Sequence, residues 1–227
     1  METMKNTLCK SIFVMLALVT VFGVSRAYAV PTIDGAFGVG EWNGFVAQGF
    51  DPNEAAIPDA YDLSEMRVIF ENSGGASDGV YVLLQTYAAP SLVDTGVGDP
   101  PASVGFLLDS NGDADFLDAV DFQTIHKLTG FTVKDGTGAT ILTGVEGTNF
   151  KLGSVIEYFI PESVLSGWPY SSFSSFALYD NGGDAPDDRL PNSGFTTPVP
   201  EPGTFFLLTG GLLVGLIGFG RRFKLVF

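Results

Sequence analysis

Between residues 30 and 190 no window sustains apolar residues at i, i+3, i+4 and i+7 between helix caps; the apolar residues come instead in short runs. These runs are rich in Val, Ile, Phe, Tyr and Thr, and clusters of Gly, Asn, Asp and Pro separate them. The clearest cover residues 66–71, 80–87, 104–108, 120–125, 131–134, 140–143, 155–160 and 173–179. This spacing predicts an all-β fold, an antiparallel two-sheet β-sandwich of jelly-roll-like type, and excludes helix bundles and doubly wound sheets. Helix is minor, with residues 161–165 the best short candidate. The absence of a fixed period argues against propellers and solenoids. Residues 94–101 read as a loop, and residues 184–202, rich in Pro, Asp, Ser and Thr, read as linker.

Charge divides the 227-residue chain further: +2 over residues 1–29, −20 over 30–203 and +3 over 204–227. A middle of that sign repels phosphate backbones, whose binding is built mainly from Lys and Arg, so a nucleic-acid partner is excluded. The single cysteine, Cys9, lies in the first ten residues, and the rest of the chain has no thiol for a disulfide, a thiolate nucleophile or a Cys-rich zinc site.

The two ends read as addresses. Lys5 and Lys10 precede a thirteen-residue apolar run at 12–24, and Ala27 and Ala29 stand at the −3 and −1 positions of a cleavage site. This is the pattern of a secretory signal peptide over residues 1–29, because thirteen helical residues reach about 20 Å, short of a hydrocarbon core of about 30 Å. It predicts export by the general secretory pathway. Residues 204–220 carry no charge and are followed by Arg221, Arg222 and Lys224, which predicts one C-terminal transmembrane helix with the basic tail, residues 221–227, inside. Gly211 and Gly215 in that span form a GxxxG pair. Ahead of the span, Pro198, Pro200 and Pro202 force an extended backbone within a Pro-rich linker, residues 191–203, that either serves as a stalk or threads through a processing enzyme.

The order Val199-Pro200-Glu201-Pro202, apolar span, Arg-Arg cluster resembles the PEP-CTERM sorting signal of bacterial exported proteins, over about the last 29 residues. The resemblance implies processing by an exosortase, a membrane-embedded cysteine transpeptidase of Gram-negative bacteria that make extracellular polysaccharide. Pro200, Glu201 and Pro202 would be the recognised motif and Arg221 and Arg222 the retention flank. The protein would cross the inner membrane, be anchored transiently, and end at the cell surface or outside. Leu225-Val226-Phe227 make the end slightly more apolar than the pattern. The basic end and the prolines disfavour a glycosylphosphatidylinositol signal.

In the middle, Asp109-Ser110-Asn111-Gly112-Asp113-Ala114-Asp115 leaves a predicted strand. Oxygen side chains at alternate positions, Asp109, Asn111, Asp113 and Asp115, suit a hard cation wanting six to eight oxygens near 2.4 Å, with calcium the natural ion. Ala114 and Val120 stand where an EF-hand needs Gly and Glu, so the alternatives are a different calcium loop and an acidic turn solvated by water. Asp180-Asn181-Gly182-Gly183-Asp184, with Asp187 and Asp188 following, is a second acidic cluster and also good turn chemistry. No Walker loop, His-Glu-x-x-His, Gly-x-Ser-x-Gly or dinucleotide fingerprint is present, and the lone His126 reads as a surface residue; catalytic residues are not expected.

Pro31-Thr32-Ile33-Asp34-Gly35 followed by Gly40-Glu41-Trp42, then Asp78-Gly79-Val80-Tyr81-Val82, the acidic loop, and Tyr158-Phe159-Ile160-Pro161, resembles family-9 carbohydrate-binding modules and their relatives. That resemblance implies a strand entering an antiparallel sandwich at the Ile33-Asp34-Gly35 motif, with calcium stabilisation as an option. Sugar binding in that family uses exposed aromatic faces, for which Trp42 and Trp168 are the candidates, each with core or edge packing as the competing role. The sequence as a whole predicts a non-enzymatic surface or matrix protein with no required cofactor, and as the alternative a module that retains exopolysaccharide.

Overall fold

The computed structural model describes residues 30–93, 102–170, 172–180 and 188–196. The expected signal peptide, sorting motif, transmembrane span and basic tail lie outside the described residues. Among those that are described, no helix is long and apolar enough to cross a membrane.

Eleven strands form two antiparallel sheets among these residues: β1 (Ala47–Phe50), β2 (Leu63–Glu71), β3 (Gly79–Thr86), β4 (Ser103–Asp109), β5 (Phe122–Lys127), β6 (Gly130–Asp135), β7 (Thr140–Thr143), β8 (Phe150–Leu152), β9 (Ile156–Pro161), β10 (Ser174–Asp180) and β11 (Asp188–Leu190). One sheet runs β1-β2-β3-β9-β8 and the other β11-β10-β4-β5-β6-β7. The chain therefore changes sheets three times, after β3, β7 and β9. Each return lays a strand beside one already formed, β9 on β3 and β10 on β4, so the centre of each sheet joins distant parts of the sequence.

Local chemistry explains the hairpins. Between β2 and β3 the Asp78 carboxylate accepts the N–H groups of Ser73 at 3.0 Å and Gly74 at 2.7 Å, closing the turn from inside. Gly79 opens β3 at φ +152°, where a Cβ would lie 2.2 Å from the Ile160 carbonyl, so only glycine lets β3 approach β9 there.

Alternation places the core between the sheets. Val104, Phe106 and Leu108 of β4, Phe122 of β5 and Phe131 and Val133 of β6 face Met66, Val68, Val80, Val82, Leu84, Ile156, Tyr158 and Ile160 of the other sheet. The five-stranded sheet is also covered on its outer side. Trp42, Ile69, Tyr81, Leu83 and Val155 form a second apolar cluster there, with Ile33 and Phe45 packed on it. Burial on both faces is why Gly79-Val80-Tyr81-Val82-Leu83-Leu84 reads as a continuous apolar run; an alternating pattern would mark a sheet with one wet face.

Several expectations change here. The segment around Ile33-Asp34-Gly35 and Trp42 is a series of bends and turns, not a strand, and it serves as the outer cover. Its anchor is Glu157, fully buried on β9, which accepts the N–H groups of Asp34 at 2.9 Å and Gly35 at 2.7 Å. The expected linker starts later than its composition suggests: Asp188–Leu190 is an edge strand on β10, Leu190 is fully buried, and Thr196 bridges to Ser175. Residues 161–165 supply only a one-turn 3-10 segment, Glu162–Val164. His126 is buried, not on the surface. In β5, Phe122, Thr124 and His126 share the inward face, and the imidazole packs against Phe131, Phe150 and Tyr158. Burial pushes its pKa down to about 4, against a small opposing effect of Glu146, which keeps the ring neutral.

Candidate functional site

The acidic loop after β4 is built around two buried carboxylates. Asp109 Oδ1 accepts the N–H groups of Asn111 at 3.2 Å and Gly112 at 2.6 Å; Oδ2 accepts the Ala114 N–H at 2.7 Å and the Ser174 hydroxyl at 2.8 Å. Asp121 holds the far end, accepting the N–H groups of Ser110 at 2.9 Å and Asp118 at 3.1 Å. Asn111, Asp113 and Asp115 are exposed, and each accepts the N–H two residues onward. Alternate oxygens thus point back at the loop's own backbone, the arrangement of successive Asx turns. The structure brings Asp109 together with Ser174 of β10, and it does not bring Asp109, Asp113 and Asp115 into one tight ligand set.

The two tryptophans have different fates. Trp42 is fully buried in the outer cluster and presents no face to solvent, so it cannot stack on a sugar ring in this structure. Trp168 is half-buried at the end of the core, in edge contact with Phe70 at 5.3 Å and Tyr170 at 5.4 Å between ring centroids.

A different group of residues is brought together at one edge of the sandwich. Asp51 directly follows β1, Glu54 and Asp62 lie in the β1–β2 connection, and Asp188 opens β11. One carboxylate oxygen each from Asp51, Glu54 and Asp188 lies within 4.8 Å of the others, the one such acidic, His or Cys group among the described residues. Asp51, Asp62 and Asp188 are all at least nine-tenths buried. Asp188 accepts the N–H groups of Leu63 and, at 2.7 Å, Arg189, while Asp62 accepts the Glu54 N–H at 2.7 Å. Neither oxygen of Asp51 meets a hydrogen-bond donor, and Glu54 Oε2 and Asp62 Oδ1 are also without one. The ion pairs among the described residues, Arg67 with Glu65 and Lys151 with Glu146, involve none of the four. Burial first, and then the charges of Glu54 and Asp62, push the Asp51 pKa up to about 6; burial also raises Asp188.

Asp51, Glu54 and Asp62 stand in no motif of the sequence, and Asp188 falls in a turn cluster. Nothing in local spacing marks the set, because it is assembled across 137 positions by the pairing of β1 and β11 with separate sheets. The rest of that turn cluster, residues 181–187, lies outside the described residues, as do Ala27, Ala29, Pro200, Glu201, Pro202, Arg221 and Arg222.

The described residues thus define an acidic two-sheet antiparallel β-sandwich. A family model for the PEP-CTERM protein-sorting motif matches residues 198–224. The motif implies an exported protein that an exosortase sorts to the cell surface. Comparison with curated proteins and with solved structures finds no significant match, so the likeness to family-9 carbohydrate-binding modules gains no support.

Proposed function

We propose that this protein is a non-enzymatic component of the cell surface or extracellular matrix, delivered through its sorting motif and functioning as a folded acidic sandwich. The observation that carries the delivery part is the sorting motif at residues 198–224. Support for a non-catalytic role comes from how several of the buried polar groups outside the 51–54–188 cluster are used. Glu157, Asp78, Asp109 and Asp121 each hold backbone N–H groups of a turn, and His126 is enclosed by aromatic rings. Groups committed in this way are not available to exchange protons with a substrate.

The alternative is a module that retains exopolysaccharide. Of the two candidate tryptophans, Trp168 is the one left for it, since Trp42 is fully buried. Melting of the protein in a panel of bacterial polysaccharides separates the two. The surface-component reading predicts no sugar-dependent change in melting temperature. A rise with one polysaccharide that disappears in Trp168→Ala would replace it with the binding-module reading.

A further inference from the structure

We propose that Asp51, Glu54 and Asp188 bind a calcium ion that clamps the two sheets together along one edge of the sandwich. The starting point is Asp51. It is 5% exposed, and neither of its carboxylate oxygens meets a donor, an arrangement that costs several kcal/mol for an ionised group unless a cation compensates it. Its side-chain neighbour within hydrogen-bonding reach is Asp188, another carboxylate, which brings no donor when ionised. Glu54 adds an unpartnered oxygen to the same space, and the three ligand atoms lie within 4.8 Å of one another.

Among the described residues no basic side chain pairs with these carboxylates. Arg189, next in sequence to Asp188, turns away: its guanidinium lies over the rings of Phe176 and Phe195 and donates to the Gly194 carbonyl. A site made only of carboxylate oxygens, with neither His nor Cys, selects a hard cation over zinc or copper. Irregular placement on a loop and two strand ends suits calcium, which accepts flexible geometry and completes its shell with water, better than magnesium, which demands near-ideal octahedra.

The position gives the ion a structural consequence. Asp51 directly follows β1, the edge of the five-stranded sheet, and Asp188 begins β11, the edge of the six-stranded sheet. Asp188 already ties the sheets by accepting the Leu63 N–H of β2. A bound ion would add a second tie beside it, at the last of the described strands.

The test is thermal melting of the full chain in detergent, stripped with chelator and then supplied with calcium or magnesium chloride at about 10 mM. The expected result is a rise of about 3 °C or more with calcium, for a site of the affinity usual in extracellular modules. Asp51→Asn and Glu54→Gln should each abolish the rise, and because the Asp51 carboxylate accepts no hydrogen bond, its replacement should leave the chelator-stripped protein folded. Asp113→Asn, in the acidic loop, should keep the full response. No rise in the wild type, an undiminished rise in Asp51→Asn, an equal response to magnesium, or loss of the response in Asp113→Asn would each overturn the assignment.

Discussion

Trp42→Ala is expected to destabilise the protein by about 3–5 kcal/mol, a large fraction of the roughly 5–15 kcal/mol that holds an ordinary domain folded. Trp42 is among the largest side chains with no solvent exposure, and it packs on Ile69, Tyr81, Leu83 and Val155 on the outer face of the five-stranded sheet. Removing it leaves a cavity beside Ile33 and Phe45 on that face, so the loss includes both transfer and cavity contributions. Trp42→Phe should cost much less, since the indole Nε1 has no hydrogen-bond partner to lose. Urea unfolding measures both. A loss below about 1 kcal/mol for the alanine variant would mean that the segment carrying Trp42 is not an integral layer of the fold.

The second large effect concerns Glu157 and pH. Burial, partly offset by the Gly35 and Asp34 N–H groups, raises its pKa from 4.5 to about 7. The acidic groups facing it from the covering segment are Asp34 and Glu41, and Lys151, its register partner on β8, spends its ammonium on Glu146. A raised pKa means the folded state prefers the protonated form. The stability from neutral Glu157 is therefore fully present below about pH 4.5 and is lost as pH rises through about 7. Glu157→Gln keeps an oxygen for the two N–H groups and removes the titration. The variant should gain on the wild type by about 3 kcal/mol between pH 4 and pH 8, as followed by urea midpoints. Parallel stability curves for the two proteins would contradict this account of Glu157.

How far the sequence discloses this protein depends on how local each feature is. The eight runs picked out by β-branched and aromatic residues all correspond to strands: seven carry buried residues that define an inward face, while Thr140–Thr143, with none buried, pairs as an edge strand on β6. β1, β8 and β11 are different. Ala47–Phe50, Phe150–Leu152 and Asp188–Leu190 are three or four residues long, and they become strands because β2, β9 and β10 offer open edges to pair with. Their sequences have too few residues to show alternation. The two-residue period that starts at Phe122 puts Thr124 and His126 on the inward face of β5, but Ile125 on the opposite face masks the alternation in the sequence.

The sites follow the same rule. The sorting motif is contiguous, and its parts stand in fixed order, so a family model and a direct reading agree on it. The acidic loop is also contiguous, yet its composition is ambiguous between metal binding and Asx turns, and only the hydrogen bonds of Asp109 show what its oxygens do here. The buried carboxylates at 51, 54 and 188 could not be found from spacing at all. Their proximity is a product of topology, of two edge strands from different sheets closing on each other.

The C-terminal motif implies that this sandwich is exported and handed to an exosortase. The most direct test is intact mass and cell fractionation of the protein expressed in its native host, beside a variant with Pro200→Ala and Pro202→Ala. Wild-type protein is expected outside the cell, lacking both residues 1–29 and the C-terminal segment 204–227, and the variant is expected in the membrane with that segment intact. Wild-type protein that keeps residues 204–227 and remains in the membrane would contradict that reading of the motif.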